Sequence, residues 1–232
     1  MDRLFFKVPY REAVSTAVWL HAGTLIASVI YFRNELRNII LSVFSQRTER
    51  QLLKFLVIAT LATFPVASLL LRLVLNLNMP DAALTIIIGV LLVGVYLTRR
   101  TIPQSSTGCG YLSSKGAVLT GLIQGLAAVP GISRSGVTIT ALLYQGADLR
   151  SALKVSYLMS IPVTAGAQLL LPLTGGVPNL SLSGLISLVT SATVGYATIR
   201  FLIRFSEKTD FMKGTLILGV SVILVGLALA LI

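Results

Sequence analysis

The feature that most limits what this chain can become is a series of long apolar runs. A helix needs about 20 apolar residues to cross the hydrocarbon core of a bilayer, and residues 13–32, 52–75, 82–98, 152–172, 183–203 and 214–232 approach that length. They predict six spanning helices. Only 12% of the 232 residues are charged, about half the share usual in a soluble domain, so these runs do not fit a water-soluble core. No early run carries both a basic prefix and a small-residue cleavage site, and the hydrophobicity is therefore expected to belong to the mature fold rather than to a signal peptide. The expected fold class is an all-α integral membrane protein. One membrane domain, 1–232, would hold three spanning helices with their loops in 1–116 and three more in 148–232.

The segment between them, 117–147, has another character. Two apolar arms of about 13 and 11 residues flank 130–136, which is rich in Pro, Gly and Ser. Neither arm can cross a bilayer alone. The pattern predicts a re-entrant helical hairpin, whose irregular tip is tolerated at membrane depth only where protein or water satisfies its polar groups. If the hairpin enters and leaves on one side, the loops at 33–50, 99–116, 147–151 and 204–213 share that side. All of the 19 Lys and Arg residues fall there or on adjacent helix ends, except Arg3, Lys7, Arg11, Arg72 and Arg134. The bias of basic loops toward the cytoplasm then places the connections at 76–81 and 173–182, and the C-terminus, outside. Arg3, Lys7 and Arg11 run against it. The net charge of +11 reads as a topology signal facing anionic lipid rather than as a nucleic-acid surface, in a multi-pass protein of the plasma membrane. The single cysteine, Cys109, cannot form an internal disulfide, and no Cys/His cluster offers a soft-metal site.

The chemistry concentrates at the hairpin tip: Pro130-Gly131-Ile132-Ser133-Arg134-Ser135-Gly136-Val137-Thr138. An arginine inside apolar sequence costs at least about 2.5 kcal/mol at mid-membrane, so it requires a partner or a purpose. Its planar fork can hold two phosphate oxygens at once, and Ser133, Ser135 and Thr138 add hydroxyl donors. Gly131 and Gly136 let backbone amides turn toward a ligand, and a helix restarting near Gly136 would aim its positive end at an anion. The plainer alternative is a turn between two spanning helices with Arg134 snorkelling to the interface, against which the shortness of both arms counts. Gly121 and Gly125 form a small-xxx-small pair suited to close helix packing.

Residues 124–138 resemble the second signature of the undecaprenyl pyrophosphate phosphatases, an apolar arm followed by Pro-Gly-x-Ser-Arg-Ser-Gly-x-Thr. Two other segments agree: Leu20-His21-Ala22-Gly23-Thr24-Leu25 with Tyr31-Phe32-Arg33 is similar to the family's Leu-Gly-Thr helix, and Val155-Ser156-Tyr157-Leu158 with Pro162 and Gly166-Ala167 is similar to the helix after the signature. The resemblance implies removal of the terminal phosphate from a C55 isoprenoid diphosphate, which recycles the carrier lipid of peptidoglycan synthesis and underlies bacitracin resistance. It implies an inverted-repeat fold with two re-entrant hairpins, of which this chain would keep one. In that reading Arg134, Ser133 and Thr138 serve catalysis, while Ser135, Gly131, Gly136 and Gln124 bind the substrate. The resemblance also implies a divalent cation, magnesium or calcium, with ligands not identifiable here. The implied partners are the isoprenoid diphosphate lipid and the membrane, with no nucleic acid, and a homodimer is left open.

The sequence departs from the family in one respect. The first signature, Glu-x-x-x-Glu followed by Pro-x-Ser-Ser-x-Gly-His, is not found, and Gln124 and Ala128 stand where a carboxylate pair would. Nucleophile and base are expected from that first hairpin, the chain is read as beginning beyond it, and these 232 residues are expected to turn over little substrate alone. Ser105-Ser106-Thr107-Gly108 resembles the missing loop only superficially. His21, the one histidine, could act as a base but is read as structural, and Tyr157, Gln168 and Tyr196 are read as interhelical hydrogen-bonding groups. Two competing readings stand beside the enzyme: a non-enzymatic polyprenyl-phosphate or lipid transporter of the same fold, since transporters also build sites from such hairpins, and an incomplete, inactive member.

Overall fold

The computed structural model describes residues 10–42, 47–75, 112–129, 132–170, 181–205 and 211–230, with isolated helical positions at 86, 90, 93, 94 and 97. Among them only helices and turns occur. The expected span at 82–98 is largely outside the described residues, as are Pro130, Gly131, Cys109, the 105–108 segment and most of the loops at 99–116 and 173–182.

The helices are α1 (Tyr10–Tyr31), α2 (Arg33–Leu41), α3 (Arg47–Leu75), α4 (Ser114–Gly125), α5 (Arg134–Tyr144), α6 (Leu149–Leu170), α7 (Leu182–Phe205) and α8 (Phe211–Ala230). Among the described residues two stretches are long and apolar enough to cross a membrane, Glu49–Leu70 in α3 and Leu182–Arg204 in α7, with mean hydropathies of 2.0 and 1.4. Their outward faces are greasy: Leu61 and Leu69 on α3, and Leu182, Ile186 and Val189 on α7, are each more than half exposed. Stripes of that kind suit lipid, not water.

Two compact units make up the chain, one from Met1–Arg37 with Leu158–Leu202, the other from Asn38–Tyr157 with Ile203–Ile232. In the first, α1 and α7 pack through small residues. A Cβ on Gly23 would lie 2.6 Å from the carbonyl oxygen of Leu188, so the two backbones touch there. Polar side chains stitch the same pair: Trp19 Nε1 donates to Gly184 O over 3.0 Å, and Ser191 Oγ to Leu20 O over 2.7 Å. Gln168 Nε2 donates to Val18 O, and Tyr196 meets Tyr31 edge-on with ring centroids 5.7 Å apart. These are the interhelical roles that polar groups take inside spans.

The second unit holds the hairpin. α4 and α5 have 12 and 11 residues, about 18 and 16 Å at 1.5 Å per residue, well short of a bilayer. Ser113 caps α4 by accepting from Gly116 N over 3.0 Å. A short 3₁₀ turn, Leu126–Ala128, ends that arm, and after the break Ser133 caps α5 by accepting from Gly136 N over 3.2 Å. The second arm therefore starts at Arg134, close to the restart expected near Gly136, with the serine cap fixing the first helical residue. α5 ends in a Schellman turn: Gly146 takes φ 90°, its N–H reaches Leu143 O, and Ala147 N reaches Leu142 O. That conformation favours glycine, and Gly146→Ala should cost roughly 1 kcal/mol in thermal unfolding.

Asp148 then starts α6, its Oδ1 accepting from Ser151 N over 2.9 Å. Partial burial pushes this carboxyl up, but hydrogen bonds from the Ser151 side chain and from backbone amides outweigh it and hold the group below the usual carboxylate range. A lowered folded value means that its stabilisation is complete above the unfolded pKa of about 4 and is lost as pH falls through the folded value. Asp148→Ala should cost about 1 kcal/mol at neutral pH and progressively less on acidification, measurable by unfolding at two pH values.

Candidate functional site

α3 and α4 run parallel with almost no space between them. A Cβ on Gly121 would lie 2.2 Å from Ala59 O, and one on Gly125 2.5 Å from Val66 Cβ. The small-xxx-small pair brings the backbone of one arm onto α3, and that closeness places Thr63 against the arm. Its hydroxyl reaches the carbonyls of Ala59 at 2.8 Å and Gly121 at 3.1 Å, and its oxygen accepts from Gln124 Nε2 at 3.0 Å. Because the Thr63 proton is committed to carbonyls, the Gln124 amide must donate to it. That leaves Gln124 Oε1 buried and without a partner, an acceptor that suits a water and not a phosphate oxygen.

The start of α5 gathers hydroxyls and a guanidinium at one helix N-terminus. Arg134 is the first helical residue, and its Nη1 is buried with no hydrogen-bond partner. An unpaired guanidinium nitrogen at the positive end of a helix invites an anion. Tyr157 lies close enough to interact with Arg134 electrostatically. Ser133 and Ser135 hydroxyls stand 3.4 Å apart at the exposed edge of the turn, where either can donate to the other, and the Ser133 oxygen serves as the cap by accepting from Gly136 N. Gly136 lies inside the first turn of α5, its N–H held by Ser133 and its carbonyl by Thr140 at 2.8 Å.

Thr138 sits one turn further in, fully buried. Its hydroxyl lies 2.8 Å from Arg134 O, 3.3 Å from Ser135 O and 2.6 Å from Ser156 Oγ on α6. Of the residues singled out from sequence, Ser133, Arg134, Ser135, Gly136 and Thr138 therefore share one helix start, and Gln124 lies in the last turn of the other arm. Gly131 lies outside the described residues. Thr63 and Ser156 receive no role from the sequence alone, and Tyr157 only that of an interhelical hydrogen-bonding group. Ser156 and Tyr157 lie in the segment that resembles the family, whereas Thr63 looks like any lipid-facing threonine until α3 is packed on α4. His21 is in the other unit, exposed on α1.

A protein-held magnesium or calcium ion needs several oxygen ligands, usually with carboxylates among them. Gln124 Oε1 is the orphaned oxygen of the two arms nearest the break, and among the described residues no group of three His, Cys, Asp or Glu side chains could hold an ion. The described residues do not fit such a centre, and no step is assigned to one.

The comparisons with known proteins agree along the chain. The family model of the bacitracin resistance protein BacA matches residues 2–228. Proteins named undecaprenyl-diphosphatase are similar: that of Methanococcoides burtonii is 32% identical over 224 residues, 93% of this chain and 84% of the relative. That of Haloarcula marismortui is 36% identical over 225 residues, 93% of this chain and 83% of the relative. That of Pelobacter propionicus is 35% identical over 230 residues, 91% of this chain and 84% of the relative. With a family match over nearly its whole length and several relatives above 30% identity, the chain belongs to the BacA family.

Proposed function

We propose that this chain is an undecaprenyl-diphosphatase, which breaks the phosphoanhydride bond of undecaprenyl diphosphate, adds water to the terminal phosphoryl group and leaves inorganic phosphate and undecaprenyl monophosphate. The observation that carries this reading is the buried, unpartnered Arg134 Nη1 at the start of α5. Arg134 neutralises charge on the transferred phosphoryl group, a role for fixed positive charge in this chemistry. Ser133 and Ser135 donate to phosphate oxygens, the free amides of the first turn add to them, and Gln124 Oε1 orients a water. The two arms hold no carboxylate or histidine, so the proton acceptor comes from outside this hairpin. The relatives' shared name over more than nine-tenths of this chain supports turnover over transport.

The wider architecture is proposed with it: six spanning helices, α4 and α5 as a re-entrant hairpin opening to the cytoplasm, and the C-terminus outside. The short arms, the irregular break and the basic loops support this arrangement. A membrane-impermeant thiol reagent should label cysteines in 173–182 on intact cells, and those in 99–116 only after permeabilisation. The reverse pattern would invert the topology. The missing first signature predicts little turnover from these 232 residues alone, whereas the relatives' shared name favours an active chain. Purified protein in detergent decides, and should release inorganic phosphate and undecaprenyl monophosphate in equal amounts from undecaprenyl diphosphate. A transporter would bind the lipid and release neither.

A further inference from the structure

Both arms of the hairpin are tied to neighbouring helices by hydroxyl groups, and both ties lie close in sequence to the break that carries Arg134. On the α5 side the tie is Thr138 with Ser156, 2.6 Å apart, with both side chains buried. On the α4 side it is Gln124 Nε2 on Thr63 Oγ1, 3.0 Å apart and equally buried.

The proton count decides what Thr138 can do. Its hydroxyl has one proton, and the carbonyl oxygen of Arg134, four residues back at 2.8 Å, is a ready acceptor. Ser156 must then donate to Thr138 Oγ1. With its proton on a backbone carbonyl, its oxygen taken by Ser156 and no exposed surface, Thr138 is not placed to donate to a phosphate. Its bond to the carbonyl of Arg134 instead ties the residue bearing the guanidinium to α6.

We propose that Ser156, acting through Thr138, and Thr63, acting through Gln124, are positioning residues that hold the two sides of the phosphate-binding turn and so set the guanidinium of Arg134. This rests on the reading that the turn binds the diphosphate. The sequence alone puts both serine and threonine among neutral small residues on apolar helices. Their assignment comes from the two cross-helix contacts and from the buried, unpartnered Gln124 Oε1 and Arg134 Nη1 on the residues so tied. A misplacement of about 1 Å far from the chemistry can cost on the order of 10²-fold in rate, so loss of either tie should be visible.

The test is a double-mutant cycle with Arg134→Lys, reading kcat/KM on undecaprenyl diphosphate and the affinity for inorganic pyrophosphate, with thermal unfolding as a check on folding. Ser156→Ala removes the donor and leaves the Thr138 proton on its carbonyl, so only the acceptor side of the Thr138 oxygen is left unfilled. It should lower kcat/KM by about tenfold in the otherwise native protein and by less than about twofold when Arg134 is already lysine, because a residue acting through Arg134 has nothing left to position. Thr63→Val should behave alike, while Thr63→Ser, which keeps the hydroxyl, should restore activity. Equal losses in both backgrounds, or no loss from either variant, would overturn the proposal. If the native protein releases no phosphate from undecaprenyl diphosphate, the functional reading falls, yet the same cycle in pyrophosphate affinity still decides the positioning role by the same pattern.

Discussion

Arg134→Ala should lower kcat/KM for undecaprenyl diphosphate by on the order of 10²–10³, the usual effect of deleting one donor aimed at developing charge. The guanidinium is held at the start of α5 with Nη1 buried and unpartnered, so its removal takes away the main positive charge at the turn rather than one of several. Arg134→Lys should still cost at least about tenfold, equivalent to roughly 1.4 kcal/mol, because an ammonium keeps the charge and loses the bidentate fork. Steady-state phosphate release measures both. Near-native values in both variants would remove Arg134 from the site.

The second large effect concerns the packing that delivers Gln124 and Thr63 to each other. A Cβ at Gly121 would sit 2.2 Å from a backbone oxygen of α3 and 2.8 Å from Ala62 Cβ. Backbone cannot step aside as a flexible side chain can, so α3 and α4 must separate. Overpacking of this kind costs typically about 1–3 kcal/mol and sometimes more, which for a chain of this size lowers the thermal midpoint by about 2–12 °C. Gly121→Ala should do so and should also reduce turnover, since separated helices lose the Gln124–Thr63 bond. Gly195→Ala is the comparison. There the nearest atom is a side-chain carbon of Ala27 at 3.3 Å, and the shift should be much smaller. Equal destabilisation by both substitutions would mean that the α3–α4 contact is looser than described.

Much of this was legible from the order of residues, for definite reasons. Arg134 stood out because charge inside an apolar run is costly wherever the chain folds, and the two arms stood out because their length falls short of a bilayer. Both are local properties. The start of α5 falls near Gly136, as the sequence implies, and is fixed by Ser133, a residue type that commonly caps a helix. A hydroxyl in a signature suggests a ligand, which is why Thr138 is expected at the phosphate, whereas its buried partner on α6 lies 18 residues away in sequence and is not legible locally. Thr63 was invisible because its role depends on two glycines some 60 residues later letting α4 come within touching distance of α3.

The central claim is that the turn around Arg134 holds the diphosphate of the substrate. It is tested most directly by protection of a thiol at that turn. Ser135 is exposed beside Arg134, so Ser135→Cys combined with Cys109→Ser supplies a single reactive position one residue from the guanidinium. The rate of its modification by a small thiol reagent is followed in detergent with and without saturating undecaprenyl diphosphate. The expected result is at least about tenfold slower modification with the lipid bound, corresponding to occupancy of roughly nine-tenths or more of the protein, and loss of that protection when Arg134 is also replaced by alanine. An unchanged rate at lipid concentrations that saturate turnover would place the diphosphate elsewhere and contradict the account.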